Sequence, residues 1–185
     1  VVPPRGGAER GLALGWALRV LGLGWSDGLA LARTVPDGAG GVTFLPFLTG
    51  ERGGVAGPGA RGAWTGLRED TGRPELVRAA VEGMVFAVAA AVDLLDPAPG
   101  AVVVTGGGSR DPLVRRLLAD ALGRPVHRVG LRSATAVGAA LLAARGTGDP
   151  VEPVVATDEP ELPGPGRADV VEHLARWREA TAALG

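Results

Sequence analysis

Apolar positions recur at helical spacing over 9–21 and stop at Gly22. A shorter helix is expected from Ser26, as its cap, through Arg33, with Val35-Pro36-Asp37-Gly38 as the stop. Residues 42–47 and 63–67 read as short strands on either side of a glycine-rich loop over 49–62. The longest helical pattern covers 74–95. It is apolar on nearly every side apart from Glu75, Arg78, Glu82 and Asp93, so a buried central helix is predicted, ending before Pro97. The Val102-Val103-Val104 run reads as a buried strand. A helix over 112–122 closed by Gly123, a strand over 126–129 and a small-residue helix from the cap Ser133 to about 144 follow. Residues 147–167, rich in Pro, Gly and acids, read as a linker or surface wrap before a last helix over 168–183. Helices alternating with short strands indicate an α/β domain.

The stretch that most suggests chemistry is Thr105-Gly106-Gly107-Gly108-Ser109-Arg110-Asp111-Pro112. It joins a strand to a helix whose start is marked by Asp111 as N-cap and Pro112 at the first helical position. Three glycines remove the side chains from the turn, so a ligand can approach main-chain N–H groups beside the positive end of a helix. That suits a phosphate or a nucleoside. A tight turn with no ligand has the same local pattern.

Composition narrows the choice. The 185 residues carry a net charge of −1, and all 19 basic residues are arginine. A near-neutral balance without a basic stripe argues against nucleic acid as a partner. The absence of lysine excludes a Walker A loop and Schiff-base chemistry. Without cysteine there is neither a disulfide nor a thiol nucleophile, and His127 and His173 do not begin a ligand pair, so no metal site is expected. No apolar run is long enough to span a membrane and no signal peptide is visible, which makes a cytoplasmic protein the expectation. A start at Val1, in mid-pattern, suggests a fragment.

The sequence resembles the C-terminal domain of the FGGY family of carbohydrate kinases. One family signature is matched by Gly62, Trp64, Gly66 and Leu67, a seven-residue spacer, then Glu75, Leu76, Ala79, Ala80, Val81 and Glu82. Upstream, Phe44-Leu45-Pro46-Phe47-Leu48-Thr49-Gly50-Glu51-Arg52 is similar to another family stretch. Downstream, the triple glycine, Ala119-Asp120-Ala121-Leu122-Gly123-Arg124-Pro125 and Ala136-Val137-Gly138-Ala139-Ala140 fall in the family's order. The likeness covers roughly 9–146 and looks most like xylulokinases, with gluconokinases close behind.

The resemblance implies an actin-like, ribonuclease-H-like C-terminal kinase lobe with a mixed sheet and packed helices. Residues 1–146 would form this nucleotide-side domain and 147–185 a Pro/Gly-rich linker with a C-terminal helix. It implies ATP as cofactor, with Mg held mainly by the phosphates and the other lobe. The sugar acceptor would be D-xylulose or a gluconate-like compound. An N-terminal lobe is the implied partner, and a homodimer a further option. Gly107 and Gly11 match nucleotide-contacting glycines, and Gly106, Gly108, Ser109 and Asp111 complete the candidate adenosine-side set. The family's catalytic aspartate and its phosphate-holding hairpin have no counterpart here. Both are expected upstream of Val1, so that this chain alone carries no catalytic residue and is inactive.

Departures from the family pattern are Gly53-Gly54 and Gly57-Pro58 after Glu51-Arg52, and Ser133 and Thr135 where a Glu is common. They leave open a degenerate, non-catalytic nucleotide-binding or interaction module. Glu51 and Arg52 read either as cleft polar groups or as a solvated ion pair, and Glu82 either as a catalytic acid or as the partner of Arg78 one turn earlier. The four tryptophans read as core or rim, and Gly138 as a site of close helix packing or of adenine contact.

Overall fold

A computed structural model describes residues 8–95, 100–131, 133–148, 151 and 157–184, with side chains described from Leu12 onward. The expected stop at Pro97 and part of the 147–167 linker lie outside the described residues. Among the described residues are six α-helices and four short strands: α1 (Ala8–Val20), α2 (Trp25–Ala32), β1 (Thr43–Leu45), β2 (Ala63–Thr65), α3 (Arg73–Leu94), β3 (Val102–Val104), α4 (Pro112–Leu122), β4 (Val126–Arg128), α5 (Ala134–Gly146) and α6 (Arg167–Ala182). Helices alternate with short strands, the α/β architecture expected from the sequence. Antiparallel pairing joins β1 to β2 and parallel pairing joins β3 to β4, in two separate ladders. No described helix is long and apolar enough to cross a membrane.

The apolar run of α3 becomes the centre of the molecule. Its residues over 77–87 are all buried, Arg78 and Glu82 included, and α1, α2, α4, α6 and β1 pack around it. The helix passes so close to β1 that a Cβ on Gly83 would lie 2.1 Å from the Phe44 carbonyl oxygen. A glycine in a helix interior costs about 1 kcal/mol relative to alanine. The contact with the strand backbone is what requires it here.

Several local expectations change. Gly24, not Ser26, takes the N-cap position of α2. Its extended backbone starts the helix two residues earlier, and Ser26 lies inside the first turn. Ser133 holds the N-cap position of α5 without a capping hydrogen bond. The β3 strand is not fully buried: Val103 is 61% exposed, because β3 pairs with β4 alone and no described element covers the outward side of Val103. Gly138 has no atom within 4 Å of an added Cβ, and α5 has no buried residue, so close packing is absent there among the described residues.

The C-terminal region runs back across the domain. Residues 157–161 lie antiparallel along the free side of β4, where Val126 and Glu161 exchange two main-chain hydrogen bonds of 2.9 Å. Then α6 buries Val170, Leu174 and Trp177 against α4, α3 and β1, and the Trp177 indole N–H donates to the Phe44 carbonyl at 2.9 Å.

A chain of buried ion pairs links these layers. Arg78 donates to Glu82 at 2.6 Å, to the Ala32 carbonyl at 3.2 Å and to Asp37. Asp37 also accepts from Arg116 at 2.7 and 3.1 Å, and Arg116 donates to Asp120, whose other oxygen accepts from the Gly164 N–H at 2.6 Å. Glu82 is thus the structural partner of Arg78, held also by the Gly38 N–H at 2.9 Å. Burial pushes its pKa up, against the pull of Arg78.

Burial would also raise Asp37, but Arg116 and Arg78 together hold it below the usual carboxylate value. A folded pKa below the unfolded one stabilises the protein above the unfolded value, near 4. That contribution is lost as pH falls through the folded value. Asp37→Asn is therefore expected to cost about 3 kcal/mol at pH 7, since it leaves two arginines short of a partner. It should also flatten the loss of stability below about pH 4. Urea unfolding between pH 3 and 7 measures both. An acid limb as steep as that of the wild type would contradict the assignment.

Candidate functional site

The residues singled out around the triple glycine converge on one open cleft of about 830 Å³. Its volume lies in the range of small-molecule sites. Leu12 and Leu14 of α1, Trp25 and Leu29 of α2, and Val85 and Val88 of α3 form apolar walls. The loop from Thr105 to Asp111 also lines it. A second space of about 10 Å³ between Glu82, His173 and Trp177 has room for a single water only.

The loop is shaped by its own residues. Gly106 has φ +104°, a conformation in which an L side chain is strained. Gly107 has φ −63° and ψ −45°, ordinary helical values, yet nothing lies within 4 Å of an added Cβ. Gly108 likewise faces open space. Among the described residues, the main-chain N–H groups of Gly106 and Gly107 make no hydrogen bond. From Gly106 to Gly108 the loop carries no side chain, and two of its N–H groups are unbonded among the described residues.

Ser109 lines the cleft, but its hydroxyl donates to the Gly106 carbonyl at 2.9 Å and so closes the loop on itself. Asp111 is the N-cap of α4, as read from the sequence: its carboxylate accepts from the Leu113 N–H at 2.9 Å. The same carboxylate takes two hydrogen bonds of 2.5 and 2.6 Å from Arg33, just past the end of α2. That pair ties α2 to the start of α4 and offsets the negative charge beside the loop. Arg115 donates to the Ser109 and Arg110 carbonyls at 2.9 Å and fixes the loop from behind. Gly11 lies in α1 one position before the cleft residue Leu12.

Among the described residues Glu51 is not paired with Arg52. Its carboxylate turns into its own loop and accepts from the N–H groups of Gly53, Val55 and Ala56 at 2.8, 2.9 and 3.3 Å. Burial alone would raise its pKa, but these donors together hold it below the ordinary glutamate value. Three tryptophans are core or partly buried packing residues: Trp16 stacks on Trp64 at 5.6 Å, Trp64 donates to the Leu76 carbonyl at 3.1 Å, and Trp177 is buried. Trp25 differs, being 49% exposed within the cleft.

Sequence reasoning missed Arg33 and Trp25. Arg33 lies 78 positions from Asp111, and no local pattern joins the two. The only available sign for Trp25 was a large aromatic residue at the start of a short helix, directly after a glycine.

Residues 16–147 match the model of the C-terminal domain of the FGGY family of carbohydrate kinases. A glycerol kinase of Alkalilimnicola ehrlichii is 36% identical over 165 residues, covering 84% of this chain and 32% of the relative. A xylulose kinase of Escherichia coli is 38% identical over 135 residues, covering 70% of this chain and 28% of the relative. Among solved structures, a ligand-bound xylulose kinase from Lactobacillus acidophilus superposes with a TM-score of 0.83 at 28% identity, covering 94% of this chain and 38% of that one. The chain spans about a third of the length of the curated relatives it matches.

Proposed function

We infer, for a chain that belongs to the FGGY family of carbohydrate kinases and carries that family's C-terminal domain, that the cleft beside the glycine loop receives the adenosine end of ATP. The observation that carries this reading is one cleft lined both by the side-chain-free stretch Gly106–Gly108, with unbonded N–H groups at Gly106 and Gly107 among the described residues, and by apolar side chains of α1, α2 and α3. A nucleoside has a flat apolar face and a polar edge, and the two kinds of lining match them. Gly106, Gly107 and Gly108 would admit the ligand, while Ser109 and Asp111 keep the loop in shape. Gly11 would act through the course of α1.

The division of labour within a kinase follows from the same residues. Phosphoryl transfer needs positioning, charge stabilisation and a base near the acceptor hydroxyl. Among the described residues Asp111 is the only acidic one lining this cleft, and it is committed to Arg33 and the Leu113 N–H. On the family resemblance, this lobe binds and orients, and the base belongs to an N-terminal lobe. ATP supplies the phosphoryl group when bound. Mg would accompany it through the phosphates, since no cluster of three or more His, Asp or Glu among the described residues could hold a cation. We assign residues 1–146 to the nucleotide-side domain and 147–185 to the strap that ends in α6.

The acceptor belongs to the polyhydroxy class. D-xylulose or a gluconate-like sugar acid is our assignment, on the motif likeness; glycerol is the alternative raised by the sequence relatives. A coupled assay of ADP release separates these choices. Full-length protein should turn over ATP with D-xylulose or gluconate at a kcat/KM at least tenfold above that with glycerol, and the 185-residue chain alone should show no sugar-dependent turnover. Preference for glycerol would overturn the acceptor assignment, and turnover by the chain alone would overturn the division between lobes.

A further inference from the structure

We propose that Trp25 is the stacking wall for the nucleobase, so that the lobe holds its nucleotide by an indole face as well as by the main chain of the glycine loop; the proposal rests on the adenosine reading of the same cleft. Trp25 is the first residue of α2 and follows the extended Gly24. Its ring is seated on α1 at Gly15, where an added Cβ would lie 3.5 Å from Cζ2. The indole thus lies against α1 at Gly15. About half of the residue remains open, at 49% exposure.

The surroundings select the ligand class. Leu29 and Val88 line the same cleft as the indole, and Gly106 and Gly107, also in its lining, have unbonded N–H groups and open space around an added Cβ. Most of the polar side chains of the cleft are already engaged: Ser109 with Gly106, Asp111 with Arg33, Arg115 with two carbonyls. A sugar would need many free side-chain partners. An aliphatic ligand would leave the N–H donors unused. A purine uses both, through its π-face on the indole and its polar edge toward main chain.

Adenosine, which lacks phosphates, is the direct probe. It would be titrated into the full-length protein and followed by calorimetry and tryptophan fluorescence. Four forms are compared: wild type, Trp25→Leu, Trp25→Phe and Gly107→Val. Trp25→Leu keeps an apolar side chain without a π-face, and its melting temperature shows whether the fold is kept. Wild type should bind with quenching. Trp25→Leu should bind about tenfold more weakly, in line with the usual effect of removing one base–aromatic stack. Trp25→Phe should keep most of the affinity while the quench disappears. If Trp25→Leu binds as wild type does and Gly107→Val loses binding, the stacking proposal fails and the adenosine reading stands. If wild type does not bind adenosine, both fail. Should Trp25→Leu not fold, the quench in wild type and its loss in Trp25→Phe still decide: a quench that persists without Trp25 overturns the proposal.

Discussion

Gly107→Val should lower ATP and adenosine affinity at least a hundredfold while leaving the protein folded. The two halves of that expectation have separate causes. Gly107 sits at φ −63° and ψ −45°, values that any L residue adopts, and no atom lies within 4 Å of an added Cβ. The substitution therefore strains nothing, and a surface change of this kind shifts stability by about 0.5 kcal/mol at most. The isopropyl group instead projects into the space the ligand needs. It would block approach to the N–H groups of Gly106 and Gly107 and leave part of the polar edge of the base unpaired, a loss on the order of several kcal/mol. The neighbouring position gives the contrast. Gly106→Val would fall at φ +104° and is expected to destabilise the loop by about 1–3 kcal/mol, so loss of binding there would be ambiguous. Calorimetric titration paired with a melting curve separates the two. Normal ATP binding by folded Gly107→Val would reduce the loop to a turn.

The largest effect on stability is expected at Trp177. Its ring is 1% exposed, lies 5.9 Å from Phe47 and 6.5 Å from Phe86, and its N–H donates to the Phe44 carbonyl. Trp177→Ala would open a large cavity between α6, α3 and β1 and leave that carbonyl unpaired. A cost of about 4 kcal/mol follows, a large share of what a domain of this size has. Trp177→Phe refills much of the cavity but not the hydrogen bond, and should cost about half as much. Chemical denaturation measures both. If Trp177→Ala lost less than about 1 kcal/mol, α6 would be an ornament on the domain and not part of its core.

What could be read beforehand follows the range of the interactions. Both ends of α4 were legible because each carries its own signal: Asp111 and Pro112 at the start, Gly123 at the end. The burial of α3 was legible because nearly every position is apolar. The start of α2 was misplaced by two residues, since Ser26 has the chemistry of a cap but Gly24 has the backbone for it. The Asp37 network stayed invisible because its partners lie 41 and 79 positions away, and only folding makes them neighbours. Asp37 read as part of a turn, which it also is. Gly83 carried a sign that went unused: a glycine in the middle of a long, otherwise favourable helix calls for a packing reason. Within the site, the loop and its helix cap were readable from residue type. The apolar lining, with Trp25 on Gly15, was not, since it depends on how α2 lies over α1.

Amide hydrogen exchange of the full-length protein, with and without saturating adenosine, tests the central assignment most directly. The N–H groups of Gly106 and Gly107 have no partner among the described residues, so they should exchange fast in the free protein. Adenosine should slow exchange at both by more than tenfold, while the Glu51-bonded N–H groups of Gly53 and Val55 keep their rates. Bound adenosine that leaves Gly106 and Gly107 unchanged would contradict the account, because the ligand would then lie somewhere other than against the glycine loop.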